Sequence, residues 1–179
     1  MPPVPIDVSD VSDVDDADAL ARGAHELLAG LVAAGAALGW VDPPSPAEVS
    51  ALVGDVAAAA RAGDAAIRGA YIDDRLVGLG YWRRYGRPTH RPHADLEKLA
   101  VAPMVQGRGI GRSLTEALIV AARAARIEVL TLDMRGDNAA ASSLYRSMGF
   151  EEYGRLARFV AVGDRRYDKV FLAIDLRVR

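Results

Sequence analysis

At 179 residues, 51% of them apolar, the chain fits one domain spanning 1–179 around one core, and needs no second. Its 22 basic and 24 acidic residues leave a net charge of −2, which excludes the basic field that nucleic-acid binding requires. No run approaches the ~20 apolar residues of a membrane span, the acidic start lacks the basic and apolar regions of a signal peptide, and the absence of cysteine removes disulfides, thiolate metal sites and a cysteine acyl-enzyme. A cytoplasmic protein with neither nucleic acid nor membrane as partner is expected.

In chain order, Val4-Pro5-Ile6-Asp7-Val8 suits a first strand and is followed by the aspartate-rich run Ser9 to Asp18. That run lacks the glycine and terminal glutamate of a calcium loop, so no metal is expected, and its acidic residues suit the positive end of a helix dipole instead. Leu20, Leu27, Leu28, Leu31 and Val32 recur at helical spacing and predict a helix over about 15–38. Pro43-Pro44-Ser45-Pro46 breaks the chain before a second helix over about 47–62, with Trp40 and Asp42 at the break. Residues 65–71 and 75–85 read as paired strands around Asp73-Asp74, with Val77, Leu79 and Tyr81 in alternation. Arg83, Arg84, Arg87, His90, Arg91 and His93 crowd the next connection, either as a receiver of an anionic group or as a solvated loop. After residue 109 the pattern predicts a helix to about 126, a strand over 128–134, a short helix over 138–148, and strands over 152–162 and 166–176 joined at Gly163-Asp164. This alternation argues for a three-layer α/β domain with a mixed sheet.

The stretch from Asp95 to Ser113 organises the rest. It reads as a strand stopping at Pro103, a glycine-rich turn and a helix start. Gly107, Gly109 and Gly111 let the backbone turn tightly and approach a ligand, and the first N–H groups of the helix have no partners inside it, so together they make a cradle for phosphate oxygens. Gln106-Gly107-Arg108-Gly109-Ile110-Gly111 lacks the Gly-Lys-Ser/Thr ending of a triphosphate loop, and its glycine spacing is not that of the dinucleotide fingerprint. It resembles the Gln/Arg-x-x-Gly-x-Gly/Ala loop of the GNAT superfamily of N-acetyltransferases. A second landmark lies downstream, where Asn138, Tyr145 seven residues on, and Gly149-Phe150 resemble the same superfamily's closing motif. The resemblance covers roughly residues 71–176 and fades before about 65.

The resemblance implies a three-layer αβα GNAT fold with a mixed, mostly antiparallel sheet, the core lying at about 65–176 and the acceptor-side helices at about 15–62. It implies acetyl-coenzyme A as co-substrate, with the pyrophosphate on Gln106, Gly107, Arg108, Gly109, Ile110, Gly111, Arg112 and Ser113, and pantetheine lying as an added strand along Leu99, Ala100 and Val101. Asn138 suits a helix cap that also touches the donor.

An alkyl amine has a pKa near ~10.4, so acetyl transfer to it needs a base. Strand alternation puts His93, Asp95 and Glu97 on one face. Asp95 and Glu97 match positions that serve as base in different members, and either is also suited to a structural ion pair with Lys98 or an arginine. Tyr145 matches the tyrosine that donates to the coenzyme A sulfur, a role a neutral phenol fills without carrying charge into a dry site. The expected activity is direct acetyl transfer within a ternary complex to a primary amine of a small molecule such as an antibiotic, toxin or metabolite, because the ending Tyr153 to Phe171 resembles bacterial members that acetylate such amines. The alternatives are a protein lysine or N-terminal acetyltransferase and a non-catalytic acetyl-coenzyme A sensor. A narrow pocket closed by the hairpin tip near Gly163–Tyr167 would favour the small molecule, and an open groove the peptide. Homodimers are common in the resembling family, and no interface is legible in the sequence.

Overall fold

The computed structural model describes residues 7–10 and 14–177, the side chains at 9, 10 and 14–16 excepted. Residues 11–13 of the acidic run Ser9 to Asp18, and residues 1–6, which include the first three of the expected opening strand, lie outside the described residues. The first strand, β1, is Asp7–Asp10. It is followed by helices α1 (Val14–Ala33) and α2 (Pro46–Arg61), then by strands β2 (Ala65–Ile72), β3 (Arg75–Arg84) and β4 (His93–Val101). The chain continues through α3 (Ile110–Ala124), β5 (Val129–Arg135), α4 (Ala139–Ser147), β6 (Glu151–Val162) and β7 (Arg165–Asp175).

Helix α1 buries Leu20, Ala24, Leu27, Leu28 and Leu31, a stripe of helical period. It ends at Ala33, five residues before the predicted Leu38. Gly35 takes φ +88°, its N–H donates to the Val32 carbonyl at 2.9 Å, and the Ala36 N–H reaches back to Leu31 at 2.9 Å. That left-handed glycine closes the helix and frees residues 36–42 as a loop. Helix α2 starts at Pro46 behind a capping box: the Ser45 hydroxyl accepts from the Glu48 N–H at 3.3 Å while the Glu48 carboxylate accepts from the Ser45 N–H at 2.8 Å.

The seven strands form one sheet in the order β1-β2-β3-β4-β5-β7-β6. Every pairing is antiparallel except β4 with β5. Helices α1 and α2 cover one face over Ile67, Leu76, Leu79, Tyr81 and Ala100. Helices α3 and α4 cover the other, where Leu118, Ile119 and Tyr145 pack on Trp82, Leu96, Leu130 and Leu132. The three-layer architecture read from the sequence is therefore the one observed. Among the described residues no helix is long and apolar enough to cross a membrane.

Two of the basic crowd before β4, Arg84 and Arg91, are structural. Arg84 donates to the Ala125 carbonyl at 3.0 Å and the Arg91 carbonyl at 2.7 Å, and it meets Asp64 at 3.3 Å. Arg91 donates to the same carboxylate at 2.5 Å. Between them they tie the start of β2, the β3–β4 connection and the end of α3.

Candidate active site

Two features of β4 build the site. The first is a bulge. Leu79 of β3 lies opposite Ala100 and Tyr81 opposite Glu97, so β4 carries one more residue than its partner here, with Lys98 at φ +52°. Below the bulge Glu97 faces the α1 layer, where Tyr81 donates its hydroxyl proton to Glu97 Oε2 at 3.1 Å. Above it the parity flips: Ala100 packs in the α1-side core and Leu99 points to Leu118 of α3. Plain alternation would have kept Leu99 on the face of Asp95 and Glu97.

The second feature is a parting of strands. β4 pairs with β5 over only three residues, His93–Val129, Ala94–Leu130 and Asp95–Thr131. Beyond Asp95 the strands diverge, each still held by its other neighbour, Glu97–Val101 by β3 and Leu132–Arg135 by β7. The gap is a cleft of about 570 Å³ lined by Asp95–Val101, Asp133–Arg135, Asn138, Ala141 and Tyr145, with the loop Ala36–Gly39 at one side. Along it β4 presents a stretch of backbone that no strand covers, which is what an extended amide-bearing ligand requires.

At one mouth of the cleft lies the glycine turn. Gln106 donates through Nε2 to the Val101 carbonyl at 3.1 Å, holding the turn to the end of β4. Gly109, at φ +84°, is the N-cap of α3 and offers no side chain to the helix's first N–H groups. Those groups are left for an external acceptor. Ile110 is buried in the core beside Leu114, so only its backbone faces outward, whereas Arg108 is exposed. Arg112 is engaged elsewhere, donating to Ser147 Oγ at 2.7 Å and lying 3.7 Å from Glu116. Ser113 donates its backbone N–H to the Gly109 carbonyl at 3.0 Å in the first turn. Across the cleft, Asn138 caps α4 by accepting from the Ala141 N–H at 3.1 Å. Of the residues predicted to hold a donor, Leu99, Ala100, Val101, Gln106, Asn138 and Tyr145 line this cleft, while 107–113 lie beyond Gln106 and are not part of its lining.

The carboxylates gather at its narrow end. Asp95, at the last paired position, accepts from Thr131 Oγ1 at 2.5 Å. Burial pushes its pKa up to about 6; the Thr131 hydrogen bond opposes that rise, and the negative charges of Glu97 and Asp133 add to it. Tyr145 is 6% exposed and stands edge-on to Phe150 with ring centres 5.5 Å apart. Burial raises its pKa, and no hydrogen bond to a described residue relieves the hydroxyl. His93 shares the face of Asp95 but lies outside the cleft, with its Nδ1 buried and unpartnered.

Beyond the carboxylates the cleft continues into a second hollow of about 340 Å³, between the loop Gly35–Val41 and the strand residues Phe159–Val162. Asp133 and Lys169 form an ion pair at 3.1 Å on the wall common to both. Residues 164–167, at the hairpin tip, are not in the lining of the second hollow, and Tyr167 lies against the lining residue Arg135 with its ring centre 4.4 Å from the guanidinium. Sequence reasoning missed Tyr81, Thr131 and Lys169 as members of this site. Nothing local marks them, because each arrives by pairing across the sheet.

The Acetyltransferase (GNAT) family model matches residues 36–150. The chain is similar to the N-alpha-acetyltransferase RimI of Mycobacterium tuberculosis, 40% identical over 94 residues, 52% of this chain and 57% of that protein. It is also similar to the ribosomal protein bS18-alanine N-acetyltransferase of Escherichia coli K12, 36% identical over 83 residues, 46% of this chain and 56% of that protein. The chain thus spans just over half the length of these two curated relatives. Its fold is like that of yncA from Salmonella typhimurium, solved with its cofactor acetyl-CoA, at a TM-score of 0.83 and 20% identity over 96% of this chain and 94% of that one. With the family model matching well over half of its length, and the parted β4 and β5 and the glycine turn in place, the chain belongs to the GNAT acetyltransferase family.

Proposed function

We propose that this chain is an acetyl-coenzyme A-dependent N-acetyltransferase that transfers the acetyl group directly to the α-amino group of a peptide. The observation that carries it is the cleft where β4 and β5 part, with an uncovered strand edge on one side, a glycine turn at one mouth and Asp95 at the apex.

Bound acetyl-coenzyme A supplies an activated thioester. The backbone of Leu99, Ala100 and Val101 pairs with its pantetheine amides, and the N–H groups from Gly107 to Gly111, with Arg108 beside them, hold its phosphates. Asp95 takes the proton of the incoming ammonium, and Glu97, steadied by Tyr81, attracts that ammonium to the apex. Tyr145 turns its unpartnered hydroxyl to the sulfur, giving a hydrogen bond or proton to the departing thiolate as the new C–N bond replaces the C–S bond.

Asp95 decides between amines. An α-amino group has a pKa near ~7.8 and a lysine one near ~10.4, so a base of pKa about 6 lies within roughly two units of the first and more than four below the second. The two relatives described above carry names of N-terminal acetylation, which supports this reading, and the hollow beside Phe159 is where the rest of the acceptor would lie.

The test is thiol release from acetyl-coenzyme A with peptides bearing free N-termini, N-blocked lysine peptides, polyamines and amine antibiotics, together with calorimetric binding of the donor. Turnover confined to free N-termini supports the proposal, and turnover confined to small amines restores the small-molecule reading. Donor binding without turnover on any amine points to a sensor, and failure to bind coenzyme A overturns the assignment altogether.

A further inference from the structure

Asp95 is not an isolated carboxylate. Its Oδ1 accepts from Thr131 Oγ1 at 2.5 Å, and the same Thr131 oxygen lies 2.6 Å from the hydroxyl of Tyr85. Thr131 has one proton to give. When Asp95 is ionised that proton goes to the carboxylate, so Tyr85 must be the donor to Thr131, and the row has one direction: Tyr85 to Thr131 to Asp95. Tyr85 follows the last residue of β3 and is half-buried, and residues Gly86 to Arg91 beyond it are all exposed. The row therefore joins the apex of the cleft to the half-buried ring of Tyr85, whose backbone lies beside the solvent-facing β3–β4 connection.

Resting on the reading of Asp95 as base, we propose that Thr131 and Tyr85 form the exit path for the proton Asp95 removes from the acceptor amine. With donor and acceptor both in the cleft, the cleft-facing side of Asp95 is covered, and a path on its other side lets the proton leave before the products do. Protonation of Asp95 reverses the row: the Thr131 and Tyr85 hydroxyls turn, Asp95 donates to Thr131, Thr131 passes its own proton to Tyr85, and Tyr85 releases its own to water. Each oxygen gains one proton and loses one, so one proton moves from the ammonium to solvent and nothing else changes.

The charges facing Asp95 come from four strands: Glu97 on its own β4, Asp133 on β5, Lys169 on β7, and Tyr81 and Arg83 on β3, with Tyr153 of β6 close enough to feel it. Among these groups, Tyr85 is the one joined to Thr131 by a hydrogen bond. Tyr85 also lies in hydrogen-bonding reach of Asp95 itself. Tyr85→Phe removes the outlet on either route and is the decisive variant.

Thiol release is measured for wild type, Tyr85→Phe, Thr131→Val and Thr131→Ser at saturating substrates, each over a series of imidazole concentrations at fixed pH. The relay predicts that Tyr85→Phe lowers kcat by roughly tenfold or more, that imidazole restores it in proportion to concentration, that wild type ignores imidazole, and that Thr131→Ser works where Thr131→Val does not. A kcat for Tyr85→Phe equal to wild type, or a loss that imidazole leaves untouched, overturns the relay while leaving Asp95 as base. An Asp95→Asn variant that turns over undiminished overturns the base and the relay together.

Discussion

Lys98 Nζ sits 4.4 Å from the centre of the Trp40 ring and donates to the Leu38 carbonyl at 2.8 Å. One ammonium thereby ties the bulge of β4 to the loop after α1, which forms one wall of the acceptor hollow. Burial lowers its pKa, with Glu97 and Asp133 working in the opposite direction. Glycine at 39 leaves space for the ammonium, since a Cβ added there would stand 3.1 Å from Nζ.

Lys98→Met keeps the stem and removes both contacts, a loss of about 1–2 kcal/mol in loop positioning. The expected result is an acceptor KM raised several-fold to tenfold, with acetyl-coenzyme A affinity within a factor of two of wild type. Steady-state kinetics with each substrate varied in turn, set beside donor calorimetry, reads the split, and equal effects on both substrates would place the tether's role elsewhere.

Asp95 yields a prediction with a definite sign. Its folded pKa, about 6, lies above the ordinary carboxylate value of 3.8, so the native state binds the proton more tightly than the unfolded chain. The stability this confers is full below about pH 4 and is lost as pH rises through 6. At pH 7.5 the ionised group is a liability, on the order of 1–2 kcal/mol once partial solvent screening is allowed for. Asp95→Asn should therefore unfold later in denaturant at pH 7.5, show no gain at pH 4, and lose at least ~10² in kcat/KM. In wild type, kcat/KM should fall tenfold per unit below pH 6. A stability loss at pH 7.5 would contradict the burial account.

The legible part of this chain was the part written in local chemistry. Gly107 and Gly109 announce a turn because few other residues tolerate their φ of +77° and +84°, whereas Gly111 lies inside α3 close to Leu144, and Asn138 announces a helix start because its side chain accepts the orphan N–H of Ala141. Alternation announced β3, and Leu79 and Tyr81 do share the α1-side face, but Val77 sits at a register shift and packs with Ile110 and Leu114 on the other. What could not be read is non-local. The Lys98 bulge places a non-glycine residue at positive φ and leaves no compositional trace. The parting of β4 from β5 is visible only once β7 has claimed the far edge of β5. Thr131 and Tyr81 enter the site through those pairings, 36 and 16 residues from the carboxylates they serve. The early stop of α1 was written in Gly35, but Leu38 continued the apolar pattern and masked it.

The glycine turn can be tested apart from the chemistry. Nothing lies within 4 Å of a Cβ built on Gly109, so Gly109→Ala meets no clash and pays only for φ +84°, about 1–2 kcal/mol. Relief of that strain turns the first N–H groups of α3 away from the phosphates. Donor affinity should drop several-fold or more by calorimetry, while kcat at saturating donor stays within twofold of wild type because Asp95 and Tyr145 are untouched. A fall in kcat with unchanged affinity would argue that the turn does not hold the donor.

Tyr145 separates packing from catalysis in one atom. Its ring fills the core against Phe150, while its hydroxyl has no hydrogen-bond partner among the described residues and carries a pKa raised by burial. Tyr145→Phe keeps the ring and deletes the oxygen, so no partner is orphaned and no cavity opens. Stability should be unchanged or slightly higher by denaturant titration, and donor affinity close to wild type. The loss should appear in kcat, by a factor of roughly 10² if the hydroxyl protonates or hydrogen-bonds the departing thiolate. That loss should shrink with acyl donors whose leaving thiol is more acidic, because a better leaving group needs less help. An undiminished kcat with acetyl-coenzyme A would reduce Tyr145 to a core residue that happens to line the cleft.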